Sequence, residues 1–330
     1  MIEVTGLRYA PDMSDLPTRL SLSTCWCSHR HTDGYAMLAE IREFGFLRTE
    51  LSHGIRMELV PGIIKAVDEG FISVSSVHNF CPLPGSVTHA APNLYQPSAP
   101  KKADRSLWLL HSERTLEFAA RVKAPHVVMH SGSVEFHFRS PAPILSAAFT
   151  AALAKLARDP SVSAPSDEEV AKALHRLRLG ATTAMPHVVA AYAALAPAAS
   201  RHGLLLGAEN REGLLELPLD GEFTAFFDAL PADSPVGYWH DTGHAQIKHL
   251  GGHLDHEQHL ATLANHLIGF HLHDVSASGR DHQVPGSGSV DFNMIRRYVE
   301  PHHTLVLEPS PRLTAEEIRT SREFLLESLG

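Results

Sequence analysis

The chain is short of cysteine, of positive charge and of uninterrupted apolar sequence, and each shortage excludes something. Three cysteines (Cys25, Cys27 and Cys81) in 330 residues are too few, and odd in number, for a disulfide framework. Cys25-Trp26-Cys27 lacks the two-residue gap of zinc or redox pairs, so the cysteines read as small buried hydrophobes in a reducing compartment. With 28 Lys and Arg against 37 Asp and Glu, the net charge is −9. That is the wrong sign for neutralising phosphates, so nucleic acid is not the expected partner. The first fifteen residues have no basic start followed by an apolar core, so no secretory leader is expected. The most apolar stretch, residues 188–196, is closed by Pro197 and is too short to cross a bilayer. A cytoplasmic protein with no membrane partner is the expectation. Apolar residues still make up 44% and charged ones 20%, which excludes disorder.

What the chain has in excess is histidine: 24, against 14 Phe, 6 Tyr and 3 Trp. Histidine is the commonest metal ligand and the proton carrier of neutral pH, but only position gives a count meaning. Short β-rich runs alternate with helical patterns eight times. The strands are expected at 20–24, 47–51, 72–78, 126–130, 204–209, 236–241, 267–273 and 304–308. Thr314 and Glu317 form a capping box for the last helix. This alternation predicts parallel pairing, and eight repeats predict an α/β fold closed as a single (β/α)8 TIM barrel over residues 1–330. A doubly wound open sheet is the rival, but no G-x-G-x-x-G follows the first strand. Two stretches exceed what a barrel needs. They are a Pro-rich insertion at 79–105 after strand three and an insertion at 131–181 after strand four. The second holds helical segments near 144–158 and 167–179. Both are expected on the C-terminal face, as a lid or as a contact in a homo-oligomer.

The strand ends carry the chemistry. Strand three ends in His78, four in His130, five in Glu209, six in Asp241 and eight in Glu308, while strand seven carries His271. His244 and His282 lie just past strand ends. In a parallel barrel these ends meet on one rim. So many buried carboxylates and imidazoles would be costly without a cation among them. Mixed His and carboxylate donors suit Mn²⁺, Zn²⁺, Co²⁺ or Fe²⁺ better than Ca²⁺.

In chain order, Gly207-Ala-Glu-Asn-Arg211, Tyr238-Trp-His-Asp-Thr-Gly-His244-Ala, Phe270-His-Leu-His-Asp274, Pro285-Gly-Ser-Gly288 and Leu307-Glu-Pro309 resemble the xylose isomerase-like barrel superfamily. That superfamily holds sugar and sugar-phosphate isomerases and epimerases and the endonuclease IV type of AP endonuclease. The resemblance implies a metal bound by Glu209, Asp241, His271 and Glu308. It implies that Glu209 and Glu308 move the substrate proton on opposite faces of a sugar carbon. His244 would hydrogen-bond the substrate, and Glu50 would touch its hydroxyls. The endonuclease-like members add ligands for a second and third metal at positions matching His78, His130, His244 and His282. The aspartate two residues before the last of these is Arg280 here, and Asp281 is one place out of register.

Smaller signals complete the reading. Arg211 could reach a phosphate or carboxylate, with a solvent-facing salt bridge as the alternative. Arg280 and Trp239 are assigned to the substrate pocket, Trp239 with a core role as the alternative. His273 is a core residue or a support for the ligands. Lys101, Lys102 and Arg105 read as a solvated face, as do His249, His253, His256 and His259. The expectation is an isomerase or epimerase acting on a small sugar, polyol or sugar phosphate, with one divalent metal and room for two or three. Metal-dependent phosphoester hydrolysis, including AP-site cleavage, is the alternative.

Overall fold

The computed structural model describes residues 15–330 apart from Ser86 and Pro160; the leader reading for the first fifteen residues lies almost wholly outside them. Eight parallel strands close into a barrel in sequential order, β1 pairing with β8. They are β1 (Leu20–Ser23), β2 (Arg48–Leu51), β3 (Ser73–His78), β4 (His126–Met129), β5 (Leu205–Glu209), β6 (Val236–Asp241), β7 (Leu267–Leu272) and β8 (Thr304–Leu307). The expected strands are recovered to within one residue at either end. The helices are α1 (Leu16–Arg19), α2 (Gly34–Glu43), α3 (Val60–Asp68), α4 (Lys102–Arg121), α5 (Ala142–Leu156), α6 (Asp167–His202), α7 (Phe223–Ala229), α8 (Thr242–Leu250), α9 (His256–Leu263), α10 (Phe292–Arg296) and α11 (Ala315–Leu329).

One expectation about the helices fails. Pro197 does not close a short helix, and residue 181 is no boundary. The second insertion runs straight into the barrel helix as α6, a single 36-residue helix with Pro186 and Pro197 inside it. A proline in a helix removes one hydrogen bond and crowds a carbonyl. Here buried Ala184, Val188, Tyr192, Leu195 and Ala199 flank both prolines and hold the helix to α4 and the barrel. Packing outweighs the local break. Ser166 and Glu169 cap its start reciprocally, and Gly203 ends it in the left-handed conformation (φ 66°). By length and composition α6 could cross a membrane, but it lies against α4, α5, α7 and β5.

The barrel interior is filled from below. Trp239 on β6 points inward and packs with Val128 on β4 and Val306 on β8. Its indole fits because its neighbours carry no side chain. A Cβ on Gly207 of β5 would come within 3.0 Å of the ring, and one on Gly269 of β7 within 2.4 Å. Trp239 is fully buried, so it forms the apolar floor under the strand ends and does not line the substrate pocket as expected. Cys27 and Cys81 are buried and Cys25 is half-buried, all as free thiols.

Outside the barrel, the expected solvated face near α9 is also corrected. His256 and His259 are 3% and 9% exposed. Gln246 Nε2 donates to Ser289, which leaves its Oε1 to accept from His256 Nδ1–H at 2.9 Å. His256 Nε2 therefore accepts from His240 Nε2–H (3.0 Å), His240 Nδ1 accepts from Tyr238 O–H (2.8 Å), and His259 Nε2–H donates to the same phenol oxygen (3.0 Å). Side chains alternate along β6, so His240 faces the helices while Trp239 and Asp241 face the barrel.

Candidate metal centre

The strand ends bring the donors together in three lobes that share residues. In the deepest lobe, His271 Nδ1 lies 2.9 Å from Glu209 Oε1, 3.1 Å from Glu308 Oε2 and 3.8 Å from Asp241 Oδ2. One atom from each of these four buried residues falls within 4.8 Å of the others. Asp241 also caps α8, its Oδ1 accepting the His244 N–H at 2.8 Å, which leaves Oδ2 for the lobe. Asn210 ties β5 to β6 by bonding both the N–H and the carbonyl of Asp241.

Glu50 does not reach the pocket. It lies fully buried beneath His271, accepting from Ser23 Oγ (2.9 Å), Ser76 Oγ (2.8 Å) and His271 Nε2–H (3.0 Å). Its expected contact with substrate hydroxyls is replaced by a support role that fixes the imidazole, as partners of metal-ligating histidines commonly do. Burial raises the Glu50 carboxyl, but His271, His78 and the Ser76 hydrogen bond outweigh it and hold it low. Burial works against the His271 charge, and Glu308, Glu50 and Glu209 together drive its pKa well above the usual value.

The second lobe contains His78, His130 and Glu209. His130 Nδ1–H donates to Asn93 Oδ1 (2.8 Å), and His78 Nδ1–H to the Asn79 carbonyl (3.1 Å). Both Nε2 lone pairs then face Glu209 Oε2, at 2.9 Å from His130 and 3.6 Å from His78. Burial and Arg211 push His130 down to about 3, so the ring is neutral. A neutral nitrogen lone pair 2.9 Å from a carboxylate oxygen is repulsive, and among the described residues His130 Nε2 has no hydrogen-bond partner. Such a pair is stable with a cation between its members, so these residues fit a divalent metal. Arg211 is half-buried, its side chain 12% exposed, and bound to Glu209 (3.1 Å), Glu212 (3.0 Å) and Glu216 (3.2 Å). It is neither a solvent-facing bridge nor a free anion clamp, but it holds the charge of Glu209.

His244, His273 and His282 form the third lobe. His244 and His282 each donate Nδ1–H to a carbonyl, Asn210 and Glu308 respectively, which leaves Nε2 facing the lobe, that of His244 at 3.2 Å from Glu212. His273 accepts the His282 N–H on Nδ1 and donates Nε2–H to Asp241 at 3.0 Å. Asp281 Oδ2 lies 3.9 Å from His244 Nε2 and 3.8 Å from His282 Nε2, so it faces the lobe despite its shifted register. The expected second-metal set therefore divides, His78 and His130 on one side of Glu209 and His244 and His282 on the other.

A cavity of about 950 Å³ opens above these lobes. Of the deep four, only Glu209 and Glu308 line it, together with His78, His130, His244 and His282. Arg280 stands exposed at its rim. Lys101, Lys102 and Arg105 do not line it. Three contributors were missed in the sequence. Asn93 sits in the Pro-rich insertion with no local signal. Glu212 follows the quoted Arg211 directly and meets His244 Nε2 at 3.2 Å. His53, just past β2, lines the cavity with its ring edge-on to His78 (4.7 Å between centroids) and its Nδ1 unpartnered.

The family model described as xylose isomerase-like TIM barrel matches residues 65–327. The chain belongs to that family. A D-tagatose 3-epimerase-like protein has the same fold at 16% identity and TM-score 0.63, covering 94% of this chain and 97% of its own. An L-ribulose 3-epimerase is similar at 15% identity and TM-score 0.64, with 94% of each chain covered. The 3-keto-D-glucoside 4-epimerase of E. coli is 17% identical with TM-score 0.62, over 93% of this chain and 98% of its own. At such identities these likenesses establish the fold. The search of curated proteins finds no match.

Proposed function

We propose that this protein is a divalent-metal-dependent isomerase or epimerase of a small carbohydrate. One observation carries the reading: of the four residues around the deep cation position, only the two glutamates also face the cavity. They come from β5 and β8, three strands apart on the rim, so they approach a substrate from different sides. A bound Mn²⁺, Zn²⁺, Co²⁺ or Fe²⁺ would polarise the sugar carbonyl and neighbouring hydroxyl. One glutamate takes the proton from the carbon α to the carbonyl, and the other returns a proton to the opposite face. His244, whose Nδ1–H is committed to Asn210, offers Nε2 to a substrate hydroxyl. The sugar 3-epimerases among the similar folds agree with this class.

The test is proton exchange. Metal-loaded protein incubated with a panel of ketoses in deuterated water should place deuterium on the α-carbon, and Glu209→Gln and Glu308→Gln should each abolish it. No exchange with any ketose in the panel would overturn the reading. A second reading, hydrolysis of a phosphoester by two or three metals, is favoured by the His78–His130–Glu209 lobe, whose geometry suits a further cation. Hydrolysis of a phosphoester without any exchange would select it.

A further inference from the structure

The rim of the cavity carries a feature that proton transfer leaves unused. The loops after β7 and β8 are tied side by side. Ser310 N–H donates to the His282 carbonyl (3.1 Å), and His282 Nδ1–H to the Glu308 carbonyl (2.9 Å). Arg280 stands two residues before this junction and Arg312 two residues after it. Both are exposed and both line the cavity. Among the described residues, neither guanidinium has an ion pair or a side-chain hydrogen bond. The other arginines of the lining are committed, Arg211 to three glutamates and Arg56 to Glu58 and the His31 carbonyl. Nor do nearby acids neutralise the pair: Asp281 turns towards His244 and His282, and Glu308 towards His271.

We infer that the substrate carries an oxyanion, a phosphate or a carboxylate, gripped by Arg280 and Arg312 while the sugar end reaches Glu209 and Glu308. This rests on the isomerase reading and narrows it to anionic carbohydrates. Guanidinium forks match phosphate and carboxylate oxygens in pairs. A floor of carboxylates under a cationic rim sets the direction of binding, with the anionic end outward on the β7–β8 side. The cavity volume lies at the top of the range for small-molecule sites. That leaves room for such a group beyond a bare pentulose or hexulose.

The experiment compares D-fructose, D-fructose 6-phosphate and a ketouronate of the same length. Each is titrated calorimetrically into the metal-loaded protein and into Arg280→Gln, Arg312→Gln and the double variant. The wild type should bind one anionic sugar at least about tenfold tighter than fructose. Which anion wins identifies the group. The double variant should bring that ratio to within about twofold of one, with each single variant between. Equal affinities in the wild type, or a preference that survives in the double variant, would overturn the inference. A preference that disappears with EDTA but not with the double variant would place the anion on the metal, and would also overturn it. Deuterium exchange is read on the same samples. Loss of exchange with all three sugars, with the Arg-dependent preference intact, would sink the isomerase reading and leave the anion grip standing.

Discussion

Lowering the pH should unfold this protein through histidines remote from the cation lobes. His126, His256, His259 and His303 are 7%, 3%, 9% and 4% exposed. Burial holds them down to about 4, 3, 4 and 3 respectively, from an ordinary value of 6.5. Their hydrogen bonds show why. His256 already accepts on Nε2, and His303 Nδ1 accepts the Glu300 N–H at 3.0 Å, so an added proton has nowhere to go. Each folded value lies below the unfolded one, so between them the unfolded chain binds more protons than the folded one. Stability is therefore full above about pH 6.5 and falls as the pH drops towards the folded values. Each ring costs about 1.4 kcal/mol per pH unit in that interval. At about pH 5 that is about 2 kcal/mol per ring and about 8 kcal/mol for four, against a usual total stability of about 5–15 kcal/mol. Urea unfolding in EDTA, followed by circular dichroism between about pH 7 and about pH 5, measures it. His256→Gln, which cannot titrate, should show a pH slope shallower by about 1.4 kcal/mol per unit. A total loss below about 2 kcal/mol, one ring's worth, would refute the idea that the fold keeps these rings neutral.

Two further outcomes follow from the geometry. Glu50→Gln leaves the cavity lining intact but weakens the anchor of His271 Nε2, so metal affinity should fall by about 10–100-fold in a chelator competition; unchanged affinity would remove Glu50 from the support of the centre. Gly243→Ala would put a Cβ 2.1 Å from His273 Cε1. The variant should lose about 1–3 kcal/mol in urea unfolding and some metal with it, because His273 cannot move without releasing Asp241; full stability would mean that this packing is loose.

The barrel and its donors were legible because both follow from period. Alternating strands and helices give the fold, and the final inward residue of each strand gives the rim. Depth was not legible. Trp239 and Asp241 lie two residues apart and face the same interior, yet one is floor and the other a candidate ligand. Glu50 is the last inward residue of its strand, as Glu209 is, but lies below it. Which of two inward residues meets substrate depends on register and on layers supplied by other strands, here Gly207, Gly269 and His271. The buried histidines near α9 were misread for a related reason. Their partners Tyr238 and His240 are 16 to 21 residues away, so their local surroundings look like an exposed turn. α6 shows the reverse case, in which two prolines spoke clearly and long-range packing overruled them.

Glu209 is the joint on which the chemistry turns. Its Oε1 belongs to the deep lobe and its Oε2 to the two imidazoles from β3 and β4, while Arg211 holds its negative charge. Burial raises this carboxyl, and Arg211, with the hydrogen bond from His271, holds it well below the usual range. A glutamate so held is a poor base until one of its oxygens is released. Under the proposed reading, a cation held in the deep lobe alone would leave Oε2 to face a substrate carbon beside Glu308, as a two-glutamate proton transfer needs. A second cation at the His78–His130–Glu209 lobe would draw on Oε2 as well, and Glu308 alone could not both remove and return a proton on opposite faces. Under the proposed reading, the number of cations bound, more than their identity, would therefore separate proton transfer on carbon from attack on a phosphoester. The His130 Nε2, buried without a hydrogen-bond partner among the described residues, is where a second cation would be felt first.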